Sequence, residues 1–196
     1  MSQPAIAGLI LSGGASRRMG SPKALLTYRG ETFLDRLIRV LGTVCDPVAV
    51  VLGHGADAIR AGVQRSALVA VNPDPERGML SSLQCGLAVL PDSADAAMFL
   101  PVDYPAVTEA TVGLVARVFA ERNAAVTIPV YRGERGHPVC VARAVVRELL
   151  ALPVTAQARD VIRSYYPVAC FVDVDDPGVV RDVDVPEEYR ALVGSR

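Results

Sequence analysis

The chain carries no excess of charge: 20 Lys and Arg stand against 21 Asp and Glu, a formal net charge of −1. A general nucleic-acid binder needs a basic footprint to displace counterions, so nucleic acid is not an expected partner. A local cationic pocket for one small anion remains allowed. Four cysteines, Cys45, Cys85, Cys140 and Cys170, lie far apart with no C-x-x-C pair, which argues against a zinc site or a disulfide framework. Each falls in or beside an apolar run and reads as a buried small hydrophobe. Long apolar spans are missing as well. The first apolar run is short, ends in glycines and has no Lys or Arg ahead of it, unlike a secretory signal or a membrane span. A cytoplasmic protein with no membrane partner is expected. Only two histidines are present, and no Ser/His/Asp arrangement is visible. No Ser/Gly-rich linker, charge block or internal repeat divides the chain, so residues 1–196 read as one domain. With 51% hydrophobic residues it can bury a sizeable core.

Short apolar runs recur along the sequence, at Ala5–Leu11, Pro47–Leu52, Ala67–Val71, Ala96–Val102 and Ala124–Val130. Continuous rather than alternating, they predict buried parallel strands. Helical spacing fills the gaps. In Thr32–Leu41, Phe33, Leu34, Leu37, Ile38 and Leu41 share one face, with Asp35, Arg36 and Arg39 turned away. Further helices are predicted at Leu80–Leu90 and at Thr108–Arg122, where Thr108 caps and Glu109 suits the first turn. Alternation of this kind implies an α/β domain with a mostly parallel sheet. After Pro129, Tyr131–Ala142 predicts a hairpin turning on Arg132–Gly136, followed by helices at Arg143–Leu150 and near Gln157–Tyr165. This half is expected to extend the same sheet as a mixed one.

The strongest signal is the run from Leu11 to Lys23, LSGGASRRMGSPK. A glycine turn at the carboxyl end of a buried strand lets backbone N–H groups approach an anion closely. Arg17, Arg18 and Lys23 add three positive charges within seven residues, which suits a triphosphate. The Walker pattern fails, because Lys23 does not follow Gly20 directly. A dinucleotide G-x-G-x-x-G is absent, since Gly13 and Gly14 are adjacent. Alone, the glycine pair fits an ordinary βα turn equally well; Arg18 and Lys23 behind it tip the reading to phosphate binding.

Acidic residues supply the complement. Asp103, in Leu100-Pro101-Val102-Asp103-Tyr104-Pro105, falls at the carboxyl end of a strand, the edge where open α/β sheets bind ligands. It could hold Mg²⁺, which uses one or two carboxylates plus substrate phosphates, or cap a turn. In Asp182-Val183-Asp184-Val185-Pro186-Glu187-Glu188 the alternation puts Asp182 and Asp184 on one side of an extended segment. Asp173–Asp176 reads as a solvated turn. Gly78 allows close backbone approach, and Ser81 and Ser82 either cap a helix or meet a base edge. His54, between two glycines, either lines the site or faces water, and the remaining Arg and Lys read as surface.

These motifs resemble the GT-A-like nucleotidyltransferases, and within them the molybdenum-cofactor (MobA/MocA-type) branch. The glycine run matches L-A-G-G-x-S-x-R-M-G-x-x-K at every fixed position but Ser12, where Ala is usual. The resemblance implies a three-layer Rossmann-like fold and a Mg²⁺-dependent enzyme that transfers NMP from an NTP to the phosphate of molybdopterin, releasing pyrophosphate. It implies Lys23, Arg18 and Asp103 as catalytic residues. Leu11, Ser12, Gly13, Gly14, Ser16, Lys23, Gly78, Ser81 and Ser82 would bind nucleotide. Asp103, in the P-x-D-x-P metal motif, would be one metal ligand and Asp184 the other, with Asp182 as alternative; Val185 replaces the usual Thr there. His137, in Gly136-His137-Pro138-Val139, and Arg159, in Ala158-Arg159, would shape the acceptor pocket. A molybdoenzyme or its chaperone is the implied protein partner. Gly13-Gly14 resembles guanylyl-transferring members, whereas Met79–Ser82, Gly136–Val139 and Ala158-Arg159 resemble cytidylyl ones, so CTP is favoured over GTP. A transferase acting on another phosphate, such as a sugar phosphate, and a non-catalytic cofactor-delivery protein stay open as alternatives.

Overall fold

The computed structural model describes residues 3–153 and 155–194; Met1, Ser2, Val154, Ser195 and Arg196, the ends of the expected 1–196 span among them, lie outside the described residues. Strand β1 (Ile6–Ser12) is buried along its whole length. It lies mid-sheet, between β4 (Val48–Leu52) and β6 (Ala96–Pro101), and pairs parallel with both. Strand β5 (Leu68–Val71) continues the parallel pairing outward from β4. On the other flank β9 (Val139–Ala142) runs antiparallel to β6 and to β7 (Val126–Tyr131), and β10 (Cys170–Asp173) pairs parallel with β7. The order is therefore β10-β7-β9-β6-β1-β4-β5, with two-residue β8 (Glu134–Arg135) against β7. Two further short strands, β2 (Thr27–Tyr28) and β3 (Glu31–Thr32), form a separate hairpin.

Helices cover both faces, which is why the central runs are apolar throughout. One core contains Leu34, Leu37 and Leu41 from α1 (Phe33–Leu41), Ile59 from α2 (Ala56–Gly62), Val112 and Phe119 from α4 (Glu109–Arg122), and Leu192 from α7 (Pro186–Gly194). The opposite core contains Leu83 and Leu87 from α3 (Met79–Leu87), Val145 and Leu149 from α5 (Arg143–Ala151), and Ile162 from α6 (Ala158–Ser164). The result is the α/β architecture with a mostly parallel mixed sheet that the alternating pattern implied, in the three layers that the family resemblance implied. The Thr108 side chain accepts from Thr111 N, capping α4 as expected. Among the described residues no helix is long and apolar enough to cross a membrane.

Three expectations need correction. In α1, Asp35 and Arg36 are buried rather than turned to solvent. Asp35 accepts from Gln64 N at 2.9 Å, Arg65 N at 2.8 Å and Thr32 Oγ1 at 2.7 Å. Arg36 donates through Nε to Pro105 O at 2.7 Å and lies over the Tyr28 ring. A second layer of chain covers this flank of α1, and both charges are satisfied there. Asp176 is likewise no solvated turn residue. Its carboxylate is buried and accepts from Thr108 N (3.0 Å), Thr108 Oγ1 (2.8 Å), Thr111 Oγ1 (2.6 Å) and Gly178 N (2.9 Å). Among the cysteines, Cys45 and Cys140 are buried, but Cys85 and Cys170 are only partly so. The hairpin after β7 turns tightly at Arg132-Gly133, both with positive φ (50° and 85°), the backbone that matches strand twist.

Candidate active site

Chain leaving β1, β4 and β6 at their carboxyl ends walls a cleft of about 670 Å³. The β1 exit forms the first wall. Ser16 adopts a positive φ of 49°, and its carbonyl accepts from Met19 N at 3.0 Å and Gly20 N at 3.2 Å. Its hydroxyl accepts from Lys23 N at 3.2 Å. The glycine run thus folds back on Ser16, and Lys23 opens a 3₁₀ turn (Lys23–Leu25) with its side chain only 13% exposed. Gly53, after β4, packs against this wall: a Cβ there would lie 2.9 Å from Gly13 Cα.

Asp103 enters from the β6 exit and Asp184 from the segment ahead of α7. The Lys23 ammonium pairs with Asp184 Oδ1 and stands 3.7 Å from Asp103 Oδ2. Arg18 NH2 holds the other Asp184 oxygen at 2.5 Å. Burial raises the Asp103 pKa above the usual carboxylate value, with Lys23 acting against it. Asp184 moves the other way, lowered first by the Lys23 hydrogen bond and then by Arg18. Two carboxylates and two cations from distant parts of the sequence therefore balance within one cleft. Asp103 Oδ1 is buried and has no hydrogen-bond partner. Two hard carboxylates, one with a free oxygen, fit a Mg²⁺ ion that takes its other ligands from phosphates and water. Among the described residues no group of three or more His, Cys, Asp or Glu could hold a metal without such help.

The remaining expected residues divide. Leu11, Ser12, Gly13, Gly14, Gly78 and Ser82 line the cleft. Ser81 does not: its hydroxyl donates to Gly78 O at 2.9 Å and accepts from Asn72 Nδ2 at 2.8 Å, securing the start of α3. The same Asn72 amide reaches Ser82 Oγ at 3.0 Å. Asp182 is exposed and outside the cleft, whereas Asp184 is half-buried and lines it. His137 sits behind the site. Its ring packs 4.8 Å from that of Tyr104, Nδ1 is sealed without a partner, and burial lowers its pKa to about 4. Arg159 is exposed on α6 and does not line the cleft. His54 does line it, with Nδ1 3.4 Å from Gly13 O and Nε2 3.1 Å from Glu76 Oε1, to which Arg17 also pairs. From the sequence, Asn72 has no expected role and Asp176 reads as part of a solvated turn. An Asn at a strand exit and an Asp beside Pro are too common to stand out.

Comparison with known proteins agrees with this geometry. The MobA-like NTP transferase domain matches residues 8–169. The chain belongs to that family. Among MobA-like relatives, the nicotine blue oxidoreductase of Paenarthrobacter nicotinovorans is 34% identical, over 96% of this chain and 97% of the relative. The molybdenum cofactor cytidylyltransferase of Escherichia coli K12 is 25% identical over 94% of each chain. The crystal structure of Rv0371c from Mycobacterium tuberculosis H37Rv superimposes with a TM-score of 0.87 at 31% identity, covering 100% of both chains. A structure of Rv0371c in complex with manganese gives 0.83 at 28% identity, covering 98% of this chain and 100% of that one.

Proposed function

We propose that the protein transfers a nucleotidyl group from an NTP, CTP in preference to GTP, to the phosphate of molybdopterin, releasing pyrophosphate. One observation carries the reading: Lys23, Arg18, Asp103 and Asp184 converge on a glycine-walled cleft large enough for a nucleotide. In this reading Gly13, Gly14 and Ser16 cradle the triphosphate through backbone N–H groups. Gly78 and Ser82 face the base, with Ser81 bracing them. Asp103 and Asp184 hold the Mg²⁺, which when bound supplies Lewis-acid polarisation of the phosphate oxygens.

The chemistry asks little else of the chain. The acceptor, a phosphate monoester with a second pKa near ~6, is mostly ionised at neutral pH and needs no general base. The obstacle is repulsion between two polyanions. Lys23 and Arg18, fixed on the glycine wall, neutralise charge on the α-phosphate as it develops, where a preorganised cation acts most strongly. His137, packed on Tyr104, would support the acceptor side, and Arg159 would reach the acceptor from the surface of α6 outside the cleft. The preference for CTP rests on Met79–Ser82, Gly136–Val139 and Ala158-Arg159.

A second reading, redox chemistry on the same fold, is favoured by the 34% identity to nicotine blue oxidoreductase. Pyrophosphate release with each of the four NTPs, with Mg²⁺ and with or without molybdopterin, separates the two. Molybdopterin-dependent release, largest with CTP, is the expected result. No release with any NTP, together with turnover of nicotine blue by an added two-electron donor or acceptor, would replace the transferase reading with the redox one.

A further inference from the structure

Between the two carboxylates stands a cation of the chain itself. The Lys23 ammonium pairs with Asp184 Oδ1 and lies 3.7 Å from Asp103 Oδ2. Its side chain is mostly buried, so water screens the pairing poorly. Arg18 neutralises the far oxygen of Asp184. A divalent ion arriving alone must displace Lys23 and would leave that ammonium inside the cleft with no anion to face. A triphosphate arriving against the glycine wall supplies that anion. Lys23 and Arg18 both lie on this wall, so turning from carboxylate to phosphate needs side-chain rotation alone.

We infer that Lys23 is an internal substitute for the metal, whose transfer from Asp103 and Asp184 to the nucleotide phosphates makes metal and nucleotide binding mutually dependent. This rests on the nucleotidyltransferase reading and adds a coupling to it: neither metal nor nucleotide is held well alone, and each tightens the other by one shared factor. Binding of metal without nucleotide is suppressed.

The test is Mn²⁺ binding to the protein, read from the free-ion signal in electron paramagnetic resonance after subtraction of the Mn²⁺ held by the analogue alone, with no turnover involved. Wild-type protein should bind Mn²⁺ weakly alone and about tenfold or more tightly with a non-hydrolysable CTP analogue, the analogue gaining the same factor from Mn²⁺. Lys23→Met should bind Mn²⁺ without nucleotide about tenfold or more tightly than the wild type does without nucleotide. Arg18→Met, at a side chain 66% exposed and therefore harmless to the fold, should show a smaller gain in the same direction. If wild-type protein with analogue binds Mn²⁺ but neither variant gains affinity without nucleotide, the substitution idea fails and the transferase reading stands. If wild-type protein with analogue binds no Mn²⁺, the metal site fails, and this inference with it.

Discussion

The backbone N–H of Val183 donates to the carbonyl oxygen of Asp103 at 2.8 Å. Asp184 is thereby tied, one residue along, to the residue it shares Lys23 with, although the two aspartates lie far apart in the sequence. Val183 is fully buried, so this hydrogen bond sits in a dry setting where its geometry is well fixed. Behind it, Asp176 binds the start of α4 and the turn at Gly178. Arg36 secures the Pro105 carbonyl from α1. The separation of the two carboxylates is therefore set by the core, and the cations of the glycine wall close onto a fixed pair.

Lys23→Ala removes the cation that both carboxylates share. Turnover in pyrophosphate release is expected to fall by roughly 10²-fold, as for losing one preorganised charge at a transition state. Asp103→Asn should abolish most transfer and weaken the Mg²⁺ dependence. Circular dichroism should show both variants folded. Near-normal turnover of Lys23→Ala would remove it from the catalytic assignment.

Asp176→Ala deletes four hydrogen bonds to one buried carboxylate. With hydrogen bonds to charged groups worth about 1.5–3 kcal/mol each and not additive, a loss of about 2–4 kcal/mol is expected, read as a lower urea midpoint at unchanged slope. Asp176→Asn keeps one acceptor oxygen and should lose less. A midpoint within error of wild type for the alanine variant would mean that the start of α4 and the turn at Gly178 are held by other contacts.

How much of this was legible in the sequence follows from how local each signal is. The glycine run and Asp103 are local, since backbone conformation and strand-end position place them, and both lie where expected. The central strands were legible because burial on two faces leaves continuous apolar runs. Asp35 and Arg36 misled because a helical wheel assigns charge to solvent. Their partners, Gln64, Arg65 and Pro105, lie 29, 30 and 69 residues away, and no spacing rule announces them. Asp184 rather than Asp182 faces the cleft for a similar reason: its partners Arg18 and Lys23 lie 166 and 161 residues away. Short elements such as α2 and β10 carry too few periodic residues to register.

Gly53 is a signal of the same long-range kind, with a direct test. A Cβ at this position would meet Gly13 backbone, 2.9 Å from its Cα, and backbone cannot yield as a flexible side chain can. Gly53→Ala should push the glycine wall out of place while leaving the core intact. Nucleotide turnover is expected to drop on the order of tenfold to a hundredfold, as for a small misplacement of a positioning element. Unchanged thermal stability alongside the drop would locate the effect in the wall. Unchanged turnover would show that the wall tolerates the shift.

Acid stability tests the setting of His137. Its folded pKa of about 4 lies below the ordinary 6.5, because burial disfavours the imidazolium. The unfolded chain therefore takes up a proton that the folded one refuses, and stability falls as pH drops from about 6.5 towards 4. The full loss is roughly 3 kcal/mol. Asp103, with a raised pKa, works in the opposite sense: the stability of its protonated form is lost as pH rises above 3.8 and through its folded value. Asp184, with a lowered pKa, contributes stability above 3.8 that is lost only below it. The interval from about 4 to 6.5 is thus where His137 supplies a positive slope of stability against pH. His137→Phe, which keeps a ring against Tyr104, should flatten that slope in urea titrations across the interval, whatever it does to stability at pH 7. An unchanged slope would show that the imidazole becomes protonated within the fold.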